Sequence, residues 1–364
     1  MYETIRSPLN FGGLTLKNRI LFAPTTMGLG QKEYLAKLRE IAAGGCAMII
    51  IGDVPVGKGF LSLHSSSGFR WYQKICETVH SQDCLVCAQL HQNDTSFSGM
   101  GKYIPGLITG KIKKDRLRSL MNEHTGDFIS GLPEDQVSAI TGSFGPAARL
   151  AVEAGFDMVQ VHGDRMCGSF SSAVFNHRTD CYGGSAENRA RFALESIQSI
   201  RRELPDLPID YKLAVRRENP HYGNAGVLVE ELPVFVPLLE QAGVNGFHVT
   251  LADHSRLEDP IPPADHPFFG AEGCFLPFCD QVKQYTRLPV CGVGGLVHPD
   301  FVEEQLKSGR IDCAAMSRQL IADPQWVRKL DEPQSIQYCR RCNKLCLGGM
   351  YNHKGVHCIY ERRT

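Results

Sequence analysis

The chain has 364 residues, with 39 Lys+Arg balanced by 39 Asp+Glu. Zero net charge argues against a dominant electrostatic role on nucleic acid or an anionic membrane, and the length suits one large barrel or two ordinary domains. No apolar run approaches the ~20 residues of a spanning helix, and the opening Met1-Tyr2-Glu3-Thr4-Ile5-Arg6 lacks the apolar core of a signal peptide, so a cytoplasmic location is expected.

Short apolar segments alternate with amphipathic ones from end to end. Strands are predicted over residues 20–24, 48–51, 85–90, 158–162, 209–215, 246–251, 289–292 and 312–316. Helices are predicted between them, for example over 136–154, 187–204, 229–242, 273–285 and 299–308. Gly155 and Gly243 follow two of these helices and read as left-handed caps. Near-continuously apolar strands indicate a parallel sheet, and eight β–α alternations match a (β/α)8 TIM barrel. A doubly wound open sheet is the alternative, but it usually has fewer strands. Residues 93–131 break the alternation and read as a long loop over the C-terminal face. No Gly-x-Gly-x-x-Gly opens a helix after a strand, so no separate Rossmann domain is expected.

Ten of the 14 cysteines are scattered through apolar contexts, as buried free thiols are in a reducing compartment. The other four follow the last barrel-like segment. Cys339, Cys342, Cys346 and Cys358 read C-x2-C-x3-C-x11-C. Four thiolates at one site suit a 4Fe–4S cluster or a structural zinc, and the spacing alone leaves both open. The expected division is therefore a barrel over 1–330 and a metal-binding segment over 331–364.

In such barrels the active site lies at the C-terminal strand ends, often with a phosphate on the loops after strands seven and eight. Those loops read Gly292-Val293-Gly294-Gly295 and Met316-Ser317-Arg318. Glycines let backbone N–H groups approach an anion, and arginine adds a charge-assisted contact. The remaining strand ends carry Thr25 and Thr26, Gln89, His162, Lys212, and Thr250 running on to His254. A flavin ring needs such groups: partners for its pyrimidine edge and a cation near N1.

The run Asn176-His177-Arg178-Thr179-Asp180-Cys181-Tyr182-Gly183-Gly184-Ser185-Ala186-Glu187-Asn188-Arg189-Ala190-Arg191-Phe192 resembles the Old Yellow Enzyme signature N-x-R-T-D-x-Y-G-G-S-x-E-N-R-x-R-F. Pro8-Leu9-Asn10 through Leu16-Lys17-Asn18-Arg19-Ile20, the Ala23-Pro24 strand end, and Ser317-Arg318 followed by Ala322-Asp323-Pro324 match as well. The cysteine spacing is similar to that of the 2-enoate and 2,4-dienoyl-CoA reductase branch. The resemblance covers essentially the whole chain. It implies FMN in the barrel mouth and favours a 4Fe–4S cluster on the four cysteines. By this resemblance Pro24, Thr25 and Thr26 face the isoalloxazine edge and N5, and Gly52 lies under the ring. Gln89 bonds the pyrimidine edge, and Lys212 stands where the family usually has arginine near N1. Gly294, Gly295, Ser317 and Arg318 hold the phosphate. Arg178, Asp180, Asn188 and Arg189 are expected to tie a loop to a helix start rather than to touch substrate.

Two departures bear on function. The family's proton-donating tyrosine is missing from His162-Gly163-Asp164-Arg165-Met166-Cys167, and Cys167 stands near its place. Arg165 either binds a carboxylate or carbonyl substrate or makes a surface ion pair. His254 resembles the second proton donor of the dienoyl-CoA reductases. Long members of the branch continue into FAD- and NAD(P)H-binding domains, whereas this sequence ends at Thr364. The expected electron source is therefore NAD(P)H itself or a partner such as a ferredoxin or flavoprotein subunit; a homo-oligomer is left open. The implied reaction is reduction of an activated C=C bond of the enone or enoate type. The alternatives are an FMN dehydrogenase that oxidises a C–N or C–H bond and exports electrons, or a non-catalytic electron-transfer subunit.

Overall fold

The computed structural model describes residues 1–95, 124–219 and 221–361, with residues 103, 105, 106, 109, 120 and 122 between the first two stretches. Most of the loop expected over 93–131 lies outside the described residues. An antiparallel hairpin, β1 (Leu9–Phe11) and β2 (Leu14–Leu16), precedes the barrel. The barrel strands are β3 (Ile20–Phe22), β4 (Met48–Pro55), β5 (Leu85–His91), β6 (Met158–Gly163) and β7 (Ile209–Arg216). A short β8 (Val227–Leu228) pairs beyond the end of β7, and β9 (Gly246–Thr250), β10 (Val290–Gly292) and β11 (Cys313–Met316) complete the barrel. Every barrel neighbour is parallel, and β11 pairs with β3 in the register Ala314↔Ile20, which closes the ring. The eight predicted strands are these eight, and the fold is a (β/α)8 barrel.

Side chains alternate along each strand, so one set fills the barrel and the other meets the helices. Leu21, Met48, Ile50, Cys87, Met158, Cys291 and Cys313 form an inner cluster with Phe11 and Leu16 of the hairpin. The Phe11 ring lies 2.2 Å from where a Cβ on Gly246 would be, so this glycine lets the hairpin seat against the start of β9. Ile49, Ile51, Val86 and Val159 belong to the larger cluster shared with the helices.

Two helices differ from expectation. Residues 136–154 form two helices, Glu134–Gly142 and Phe144–Glu153. Pro146 has no N–H to offer the Gly142 carbonyl, so the ladder breaks there; Ser199 Oγ donates to that carbonyl at 2.9 Å instead. Only Leu276–Val282 of 273–285 is helical, because Cys274 N–H is drawn to the Gly294 carbonyl at 3.2 Å. Gly155 and Gly243 take the expected left-handed conformation, at φ 104° and 112°.

The signature run is a clasp. Arg178 pairs with Asp180 and donates to the carbonyls of Ile129 (2.7 Å) and Leu132 (2.6 Å). Ser185 caps the helix Ala186–Glu203, and Arg189 from its first turn pairs with Glu231. Among the described residues no helix is long and apolar enough to cross a membrane.

Candidate active site

A cavity of about 340 Å³ opens at the C-terminal strand ends. Its wall includes Pro24, Thr25, Thr26, Gly52, Gln89, Lys212, Gly294, Gly295, Ser317 and Arg318, so the fold brings together the ten residues expected around FMN. β4 continues past its predicted end because the ladder shifts register between Ile51 and Val54. The irregularity puts Asp53 at φ 55° and aims it at the cavity, where it accepts a hydrogen bond from Thr26. Asp53 directly follows Gly52, and that position was the available signal for a residue the sequence reading passed over.

Gln89 is fixed from behind. Its Nε2 donates to Gln160 Oε1 at 2.7 Å, and Gln160 donates to the Asp210 carboxylate. Burial pushes the Asp210 carboxyl up to about 7, and burial together with the Lys212 charge pulls the His248 imidazole down to about 3. Lys212 makes no hydrogen bond or ion pair with a described residue. Burial lowers its ammonium, against the opposing pull of Asp164, Asp53 and Asp210.

These residues fit FMN on the protein's own geometry. The Lys212 ammonium, unpaired among the described residues, belongs to the cavity wall. Protein atoms leave ordinary contact room, 3.4 Å or more, for a side chain at Gly52, so the space above that glycine is a cradle a Cβ would partly fill. At the other end Gly294 (φ 117°) and Gly295 (φ 71°) stand beside Ser317 and Arg318. Arg318 donates to the Pro262 carbonyl (2.8 Å) and Asn343 Oδ1 (2.7 Å) and has no carboxylate partner among the described residues.

Residues 4–336 match the NADH:flavin oxidoreductase / NADH oxidase family. The chain belongs to that family. It is thus a flavin-dependent oxidoreductase of an FMN-dependent family. It is 61% identical over 368 residues to a bilirubin reductase of Clostridium symbiosum, covering 100% of this chain and 99% of that protein. A bilirubin reductase of Mediterraneibacter gnavus is 34% identical over 97% of this chain and 56% of that protein. The chain spans about half the length of several other relatives, among them a Thermoanaerobacter brockii NADH oxidase at 54% of its length. A solved 2-naphthoyl-CoA reductase superposes with a TM-score of 0.79 at 22% identity, over 99% of this chain and 57% of that one, which supports the fold.

Family resemblance pointed to His162, Arg165, Cys167 and His254 as catalytic. In this oxidoreductase His162 and Arg165 line the cavity, with Asp164 between them. Burial, then Lys212, keeps the His162 imidazole well below its ordinary value. Arg165 Nη1 lies 3.9 Å from Asp94 Oδ1. Cys167 is buried in the helix Met166–Ser171, away from the cavity wall, and burial pushes its thiol up to about 12. His254 is fully buried behind the wall. Its Nε2 meets Asp164 Oδ1 at 2.8 Å, its Nδ1 is 3.4 Å from Asp94 Oδ2, and its ring stacks on Phe175. The fold therefore links His254 to the cavity through Asp164. Burial pushes the Asp164 carboxyl up, but the His254 hydrogen bond and neighbouring cations hold it well below the carboxylate range.

The four C-terminal cysteines share one small pocket with Arg318 and Tyr360. Gly349 permits the return of the chain, since a Cβ there would lie 2.2 Å from the Gly355 carbonyl. Among the described residues no three of the four sulfurs lie within 4.8 Å of one another. Arg341 N–H points at Cys339 Sγ at 3.3 Å. Cys339, Arg341 and Cys346 also line the flavin-end cavity, and Arg318 lines both.

Proposed function

We propose that this protein is an FMN- and 4Fe–4S-dependent reductase of conjugated C=C bonds, acting on bilirubin or a closely similar linear tetrapyrrole. The observation that carries the reading is the 61% identity to a bilirubin reductase over the full length of both chains. In this reading residues 1–330 hold FMN and 331–364 hold the cluster, in a cytoplasmic enzyme. When bound, FMN supplies hydride to an activated double bond. Lys212 stabilises negative charge at the flavin edge, and Gln89 orients the pyrimidine side. Arg165 and His162 hold a carbonyl or carboxylate of the substrate, groups that a bilirubin-type molecule carries. His254 and Asp164, hydrogen-bonded to each other with Asp164 on the cavity wall, are the couple that delivers the proton to the substrate.

The cysteine spacing, similar to that of the 2-enoate and 2,4-dienoyl-CoA reductase branch, supports a cluster over zinc. The electrons would come from NAD(P)H or from a partner protein, and in the second case Cys339, Cys342, Cys346 and Cys358 would hold the cluster that relays them. Support for the second route is that Cys339 and Cys346 border the same cavity.

The test is anaerobic. Purified protein should carry about one FMN and about four iron per chain. Chemically reduced enzyme mixed with bilirubin should return to oxidised flavin, with product gaining hydrogen in pairs by mass spectrometry. If simple amines bleach the oxidised flavin and bilirubin does nothing, the dehydrogenase reading replaces this one. Zinc without acid-labile sulfide would overturn the cluster.

A further inference from the structure

We infer that Arg341, from the first C-x2-C turn of the cysteine segment, is the second cation of the FMN phosphate site and gives that site its preference for a dianion. The inference rests on the reading of the Gly294-Gly295 end as a phosphate site. Arg341 sits between Cys339 and Cys342 with φ 48°, a backbone region that glycine adopts without strain and an L side chain adopts only rarely. Such strain at a residue whose backbone position glycine would fill calls for a role in the side chain.

That side chain leaves the cysteine loop and crosses to the barrel. Its Nη1 lies 2.8 Å from where a Cβ on Gly295 would stand, so it lies over the glycine turn after β10. Nη1 donates to the Ala271 carbonyl at 2.9 Å and Nη2 to the Gly270 carbonyl at 2.6 Å. A guanidinium has five N–H donors, so donors remain for an anion. No carboxylate of a described residue pairs with it. Arg318 also lacks a carboxylate partner among the described residues. Two neighbouring guanidiniums line one end of the cavity beside two left-handed glycines, and apart from the nearby cysteine sulfurs no carboxylate of a described residue gives either of them a negative charge. A phosphate dianion supplies that charge in the geometry arginine forks accept.

The consequence is that the cysteine loop contributes directly to flavin binding. The experiment uses the full chain, stripped of flavin and titrated with FMN and with riboflavin by fluorescence quenching, with iron counted in parallel. Arg341→Gly suits the local backbone and removes only the side chain. Its FMN affinity should fall roughly 10- to 100-fold, as for loss of a charge-assisted contact, while riboflavin affinity and iron content hold. Inorganic phosphate should compete with FMN less effectively in the variant than in the parent. Unchanged FMN affinity, or an equal loss for riboflavin, overturns the role of Arg341. A parent protein that does not prefer FMN to riboflavin overturns the phosphate site itself, and that outcome is visible before any variant is made.

Discussion

Gln89 Nε2 donates to Gln160 Oε1 at 2.7 Å, and that bond decides which way the Gln89 amide faces. The Gln89 carbonyl is left toward Asp53 N–H, at 3.4 Å. Gln160 is fully buried, and its own nitrogen is spoken for by Asp210, with His248 Nδ1 at 3.2 Å. Gln160 therefore positions Gln89, the proposed flavin ligand, without lining the cavity. Gln160→Met should weaken FMN and riboflavin alike, by roughly 10-fold for one freed buried amide. A loss confined to FMN would show that the network serves some other end of the cavity.

Lys212, in the cavity wall, is the cation proposed for the pyrimidine edge. Lys212→Met should lower the flavin reduction potential, since charge on the reduced flavin loses a partner worth about 1–3 kcal/mol in a partly dry site. Potentiometric titration of the flavin-loaded variant measures this. An unchanged potential would mean that the ammonium points elsewhere when flavin is bound.

Asp210 gives a pH signature. Its carboxyl rises from 3.8 in the unfolded chain to about 7 in the fold, so the folded protein binds the extra proton between those values. The stability it allows is complete below the lower value and is lost as pH rises through the upper one, on the order of 4 kcal/mol in all. Asp210→Asn cannot ionise. Flavin-free variant should therefore lose less stability than the parent between about pH 4 and about pH 8. Parallel denaturation midpoints across that range would argue against a buried, proton-bound Asp210.

The proton route separates three residues. His254→Ala and Asp164→Asn should each slow reoxidation of the flavin by substrate by perhaps ~10²-fold, while flavin reduction changes little. Cys167→Ala should behave like the parent, because its thiol is buried in the core and does not line the cavity. A selective defect in Cys167→Ala alone would transfer the role to the thiol.

The barrel was legible because its code is local. Eight apolar runs of strand length, each followed by an amphipathic stretch, define the ring, and the Asn176–Phe192 run fixes the clasp beside it. That the ten residues expected around FMN would line one cavity was also legible, since the C-terminal end of a parallel strand always faces the same mouth. The tertiary structure decided what depends on chain segments far apart in sequence. His254 and Asp164 meet across 90 positions, and no spacing rule foretells that a loop histidine will be walled off behind an aspartate. The β4 irregularity turned Asp53 inward, an outcome of the pairing of β4 with β5 rather than of its own sequence. Arg341 reads as part of a cysteine motif until the packing of the tail lays it over Gly295, because only the path of the whole chain sets which surface a side chain of that length can reach.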